Sequence, residues 1–147
     1  MGVKRKAAAF VLAVAGLKAM ERYAEFPYLD VGKIKTIGYG HVMKPGDPER
    51  VSPFQAENIL KRDAESAWDC VIDRLPNCTE REEAALILLV FNIGCAAFSA
   101  STLLKKIRAG APFEEIEAQW MRWVHVKGAI VPGLVNRRRK EWKVYTS

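Results

Sequence analysis

"ERYAEFPYLDVGKIKTIGYGH", residues 21–41, sets Glu21 and Asp30 nine positions apart and Thr36 six further on, then closes on Gly38, Tyr39, Gly40 and His41. Its second half, "IKTIGY", is rich in β-branched and aromatic residues, which suit a pleated, half-buried surface. Glycine or proline at 32, 38, 40, 45, 46 and 48 punctuates the region from Tyr28 to Pro53. This stretch therefore predicts a small hairpin or three-stranded sheet.

Upstream, Phe10, Val14, Leu17 and Glu21 fall on one helical face. No breaker lies between Lys4 and Ala15, and only Gly16 follows, so residues 1–20 are predicted to run as one helix into Glu21. The same segment also has the outline of an export signal: basic "MGVKRK", apolar "AAAFVLAVAGL", and Ala13-Val14-Ala15 of A-x-A form. Its apolar run is shorter than the about 20 residues that a membrane span needs. Cleavage after Ala15 would leave five residues ahead of Glu21, so the segment is expected to stay uncut.

Downstream, the chain reads as helices. Ser52-Pro53-Phe54-Gln55 has the form of a capping box with proline at the first helical position, opening a helix to about Ile72. Thr79-Glu80-Arg81-Glu82 is a second box, ahead of "EEAALILLVFNI", which is apolar nearly all round and so belongs at the centre of the core until Gly94 ends it. "SASTLLKKIRAG" predicts a short helix stopped by Gly110. "PFEEIEAQWMRWV" predicts another, with acids where the helix dipole favours them. "LVNRRRKEWKVY" is the last, after a turn at "KGAIVPG". At 147 residues, half of them hydrophobic, the chain can bury one domain's core. The expected class is α+β: a small β lobe joined to a larger helical lobe, with a ligand cleft between them.

Two carboxyls near such a cleft suggest glycoside hydrolysis, where one acid protonates the leaving oxygen and a second carboxylate activates water or attacks the anomeric carbon. Glu21, at a helix C-terminus and on an apolar face, is expected to hold its proton as a general acid. Asp30, in a wetter turn, is expected to be ionised, and Thr36 offers a neutral hydroxyl to orient a water. By residue type alone the pattern is weak. A Glu and an Asp nine apart arise by chance among 17 acidic residues, and threonine is simply a good strand former.

The formal charge of +6 favours a polyanionic partner: nucleic acid, an anionic membrane face or an acidic wall. Arg137, Arg138, Arg139 and Lys140 form the densest cluster and read as the solvated face of a helix. The three cysteines, Cys70, Cys78 and Cys95, show neither CxxC nor zinc spacing, leaving one disulfide with a free thiol, or three thiols.

The run from Glu21 through "PYLD" to "TIGYGH" resembles the active-site block of phage-type lysozymes, the endolysins of glycoside hydrolase family 24. "FNIGCAAFSASTLLKKI" at 91–107 and "PGLVNRRRKEW" at 132–142 resemble two further blocks in the same order, so the likeness covers roughly residues 17–145. It implies a lysozyme-like fold with Glu21 as general acid, Asp30 as the carboxylate that activates or positions water, and Thr36 as water holder. The implied reaction is cleavage, with inversion, of the β-1,4 bond between N-acetylmuramic acid and N-acetylglucosamine in peptidoglycan, for host lysis. The resemblance implies no metal, no organic cofactor and no nucleic acid, and a monomer whose membrane contact is confined to the N-terminal segment. Before lysis the protein would wait in the host cytoplasm, or at the periplasm and inner membrane if that segment exports it.

Two departures from the family stand out. Arg22 follows the glutamate where glycine is usual, and the glycine usual three residues after the aspartate is read here as Gly32, two after Asp30. Asn92 is expected either to contact saccharide or to cap a helix end, His41 to be a structural hydrogen-bonding residue, and Trp120 and Trp123 to be core. Arg137 or Arg138 either pairs with an acid near the cleft or belongs to the solvated face. Some related endolysins carry cysteine at the places of Cys70 and Cys95, so a disulfide would join these two, or Cys70 to Cys78. Two other functions compete: a non-enzymatic cationic protein acting on membranes or nucleic acid, and a lytic transglycosylase.

Overall fold

The computed structural model describes residues 6–147. Helix α1 (Ala7–Glu21) buries Ala9, Ala13, Val14 and Leu17. Lys6 is extended, at φ −101° and ψ 95°, so the described helix begins at Ala7; the part of the predicted helix that falls on residues 1–5 lies outside the described residues. Gly16 lets α1 lie close on a neighbouring helix, since a Cβ there would stand 3.0 Å from Leu88 Cδ2.

The chain leaves α1 through Arg22 at φ 56° and ψ 153°, a region that in practice belongs to glycine and costs other residues about 1–3 kcal/mol. Arg22→Gly is therefore expected to stabilise the fold by about 1 kcal/mol, raising the melting midpoint by roughly 2–4 °C. A thermal melt showing no gain, or a loss, would mean that the arginine side chain makes up the difference.

Three antiparallel strands follow, β1 (Ala24–Leu29), β2 (Lys35–Gly38) and β3 (His41–Val42), in the order β1-β2-β3. The sheet starts at Ala24, ahead of the predicted Tyr28. Register slips between Ala24 and Tyr28, where Pro27 has no N–H for the ladder. Between β1 and β2, Lys33 donates its N–H to the Asp30 carbonyl at 2.8 Å and takes φ 62°. Gly32 has no left-handed φ, so it is not a displaced family glycine. The left-handed position is three residues after Asp30 and is filled by lysine.

Helices α2 (Pro53–Arg74) and α3 (Glu80–Ile93) begin at the two predicted capping boxes, each with both reciprocal hydrogen bonds. Every residue of α3 from Glu83 to Val90 is buried, and α1 and α2 pack against it. The sheet is tied to α2 through His41, whose Nδ1 lies 2.6 Å from Asp63 and Nε2 2.9 Å from Asp47. Burial pulls this imidazole down, but the hydrogen bonds to Asp63 and Asp47 outweigh it and leave His41 above its ordinary value. A raised folded value means that the clamp's contribution is complete below about pH 6.5 and lost as pH rises through the folded value. Denaturation midpoints from acid to alkaline pH are expected to show this fall in the parent and not in His41→Gln. An equal fall in both would place the dependence elsewhere.

After Gly94, which ends α3 at φ 89°, a short helix absent from the sequence reading, α4 (Cys95–Ser99), precedes the predicted one, α5 (Thr102–Arg108), which stops before Gly110. Ser101 divides them, accepting from the Leu104 N–H and donating to the Phe98 carbonyl. A disulfide joins Cys70 of α2 to Cys95 of α4 across a separation of 25 residues, a loop whose closure contributes about 3–4 kcal/mol in the chain-entropy account. Cys78 is a free, half-buried thiol, pushed up to about 12 by burial and then by Glu82 and Glu83; it is protonated and inert at neutral pH.

Helix α6 (Phe113–Trp120) stops short of the predicted Val124, and the expected plain turn is a hairpin of β4 (His125–Val126) and β5 (Ala129–Ile130). Lys127 and Gly128, both at positive φ, make its two-residue turn. Strands of two residues carry no readable alternation. Helix α7 (Pro132–Tyr145) then crosses α3 and packs Trp142 and Tyr145 against Trp120.

Candidate active site

Glu21 ends the last turn of α1, with its side chain 16% exposed. Arg137 of α7 donates Nη1 to Glu21 Oε1 at 2.5 Å. The same guanidinium donates Nε to Glu141 Oε2 at 3.2 Å and Nη2 to the Leu88 carbonyl at 3.1 Å. A cation thus faces the acid, a partner that helix-end reasoning alone omitted. Gly40, at φ 70°, closes the other side: a Cβ there would stand 2.7 Å from Glu21 Cδ. Only glycine fits, by conformation and by contact.

Asp30 sits at the end of β1. Its Oδ1 accepts from the N–H groups of Gly32 and Ile34, each at 2.8 Å, which fixes the carboxylate and leaves Oδ2 clear of these bonds. Tyr28 feels both acids: its phenol is raised by burial, then by the negative charges of Glu21 and Asp30. Across the β1–β2 pair, Tyr28 faces Thr36. Thr36 is buried, at 2% exposure, and donates its hydroxyl proton to the Ile34 carbonyl at 2.8 Å. The oxygen is left as an acceptor.

A cleft of about 450 Å³ runs between the lobes, lined by Asp30 and Gly32 on one side and by Asn92, Trp123 and Leu134 on the other, with His125 at its edge. Asn92 does not cap its helix. Its Oδ1 accepts from Arg138 Nη2 at 2.5 Å, and because a guanidinium only donates, the amide NH₂ is the group left for a ligand. Trp120 is core, as read. Trp123, half-buried, packs against the core as expected and in addition lines the cleft, past the end of α6 at Trp120.

The solvated basic face is corrected. Arg139 and Lys140 are exposed, but Arg138 and Glu141 are wholly buried. Glu141 accepts from Trp120 Nε1 at 3.0 Å and from Arg137, and Arg138 Nε stands 3.1 Å from its Oε1. Burial brings the Arg138 guanidinium down to about 10, still charged at neutral pH, and pushes the Glu141 carboxyl up against the pull of Arg138 and Arg137. This buried pair holds both Arg137 toward Glu21 and Asn92 toward the cleft. Sequence reasoning missed Tyr28 and the contact of Gly40 with Glu21. Tyr28 sits two before Asp30 on one strand face, the only signal it gave.

The family model for phage lysozyme matches residues 18–141. The chain belongs to the phage lysozyme family. Among its relatives, the SAR-endolysin of Escherichia phage Mu is 34% identical over 86% of this chain and 74% of its own. The endolysin of Acyrthosiphon pisum secondary endosymbiont phage 1 is 33% identical over 76% and 80%. The solved endolysin of Escherichia coli O157:H7 phage FAHEc1 superposes with a TM-score of 0.79 at 30% identity, covering 99% of this chain and 93% of that one. This lysozyme is therefore a glycoside hydrolase of the endolysin type, acting on cell-wall peptidoglycan, and the reading as a non-enzymatic cationic binder is set aside.

Proposed function

We propose that the lysozyme works as one domain, cleaving the β-1,4 bond after N-acetylmuramic acid with Glu21 as general acid, Asp30 as base and Thr36 as the second handle on water. What supports this reading is that the two carboxyls are held differently, Glu21 facing the Arg137 guanidinium and Asp30 fixed by the N–H groups of Gly32 and Ile34, in a chain of the phage lysozyme family. Glu21 gives its proton to the glycosidic oxygen as the bond to the anomeric carbon breaks, and Arg137 stabilises the carboxylate left behind. A water donates one hydrogen to Asp30 Oδ2 and the other to Thr36 Oγ1, whose own proton is committed to Ile34. That arrangement leaves a water lone pair for attack on the opposite face of the sugar, with Asp30 taking the proton, so the anomeric configuration inverts. Asn92, held by Arg138, donates to the saccharide. New reducing ends released from purified murein test the reaction: a lytic transglycosylase, which closes an anhydro ring without water, would release none.

The protein further acts as a monomer, exported with its N-terminal segment uncut. The basic leader and apolar run support export, and the Cys70–Cys95 disulfide suits an oxidising compartment. No helix among the described residues is long and apolar enough to cross a membrane. A mature chain beginning at Gly16 would contradict this reading.

A further inference from the structure

We propose that Lys33 and Lys127, at the tips of the two hairpins flanking the cleft, grip the carboxylates of the peptide stems that peptidoglycan carries. The inference rests on the muramidase reading and concerns how that site selects wall over bare glycan.

Each hairpin needs a left-handed residue at its tip, a conformation that glycine adopts freely and L side chains only against steric resistance. Among the described residues six such positions are filled by glycine, at 38, 40, 46, 94, 110 and 128, and only Arg22, Lys33 and Lys127 depart from it. Two of these three exceptions are lysines on the hairpins that bound the cleft. Each directly follows a residue lining it, Gly32 for Lys33 and Val126 for Lys127. Both lysines are exposed, and neither is in an ion pair among the described residues, whereas Lys18, Lys35 and Lys106 each have a carboxylate partner. Arg122, on the cleft wall, has its side chain hydrogen-bonded only to the neutral Gln119, at 3.4 Å, among the described residues.

The cleft mouth thus carries cations from both sides. A glycan strand lying along it must direct its peptide stems outward past these tips, and the free carboxylates of those stems are the anions within reach. Lysine at positions where glycine would be easier is what a charge contact at the mouth would retain.

The test separates charge from conformation. Asparagine tolerates the left-handed region, so the double variant Lys33→Asn/Lys127→Asn removes charge without backbone strain, and Lys33→Arg/Lys127→Arg keeps it. Binding to purified sacculi by co-sedimentation, and KM and kcat on them, are measured before and after the wall carboxylates are amidated with ammonia and a carbodiimide. The Asn variant is expected to bind native sacculi about fivefold more weakly, the size of two exposed charge contacts, with kcat unchanged and thermal stability equal or higher. The Arg variant should restore binding. Amidation should weaken the parent by at least that factor and the Asn variant by less, through Arg122 and the remaining net charge. Parent-like binding by the Asn variant, or losses from variant and amidation that multiply, would overturn the proposal. Sedimentation needs no turnover, so it reports on the stem contact even if the muramidase reading fails.

Discussion

Glu21→Gln is expected to lower kcat on purified murein by about a thousandfold or more, the range of a positioned general acid, with the fold intact. Glutamine keeps the size of the side chain and an oxygen for Arg137 Nη1, which also retains Glu141 and the Leu88 carbonyl. What is lost is the transferable proton. Asp30→Asn should be comparably severe, because the amide still accepts from Gly32 and Ile34 but cannot take a proton from water. Thr36→Ala should cost less than either, since Asp30 still holds the water. Wild-type turnover by Glu21→Gln would sink the catalytic reading; turnover lost together with the thermal transition would show only a folding defect.

Glu141→Ala should have the largest effect on stability, about 3–5 kcal/mol, the usual result of leaving a buried charge without its partner. Arg138 is wholly buried, and its Nε and Nη1 already lack hydrogen-bond partners. Removing Glu141 also strands Trp120 Nε1 and one donor of Arg137. For a chain of this length the melting midpoint should fall by roughly 10 °C. Replacing both members, Arg138→Met with Glu141→Leu, should recover most of that loss, because an apolar pair of similar volume removes both desolvation penalties. A single variant as stable as the parent would mean that water reaches the pair and that it does not organise α7. The recovered double variant should still turn over poorly, having released Arg137 and Asn92 from their holders.

What could be read from the sequence was local. The capping boxes at Ser52 and Thr79 need only four residues each, and both helices begin there. The apolar run of α3 had one place to go, the middle of the core. The spacing of Glu21, Asp30 and Thr36 with the glycine-rich ending pointed to the proposed site because a helix end, a strand and a turn are contiguous there. The misses involve long range or special backbone. That Arg137 or Arg138 pairs with an acid near the cleft was one of two open readings, but nothing in "NRRRKE" says which of them reaches Glu21 across 116 positions or which is buried. Lys33 takes a left-handed φ that its residue type argues against, so Gly32 looked like the family glycine. Trp123 packs on the core as Trp120 does, but its second role as cleft wall depends on the helix ending between them. The β4–β5 hairpin was too short to show a period.

The central claim is hydrolysis with inversion by a water held at Asp30, opposite the acid at Glu21. Proton NMR of the first reducing ends released from murein tests it most directly. Attack on a β-linked anomeric carbon from the opposite face should give the α-anomer of N-acetylmuramic acid at the earliest times, with the β-anomer growing in only as mutarotation proceeds. A β-anomer formed first, or an anhydro-muramic product with no reducing end, would contradict the account.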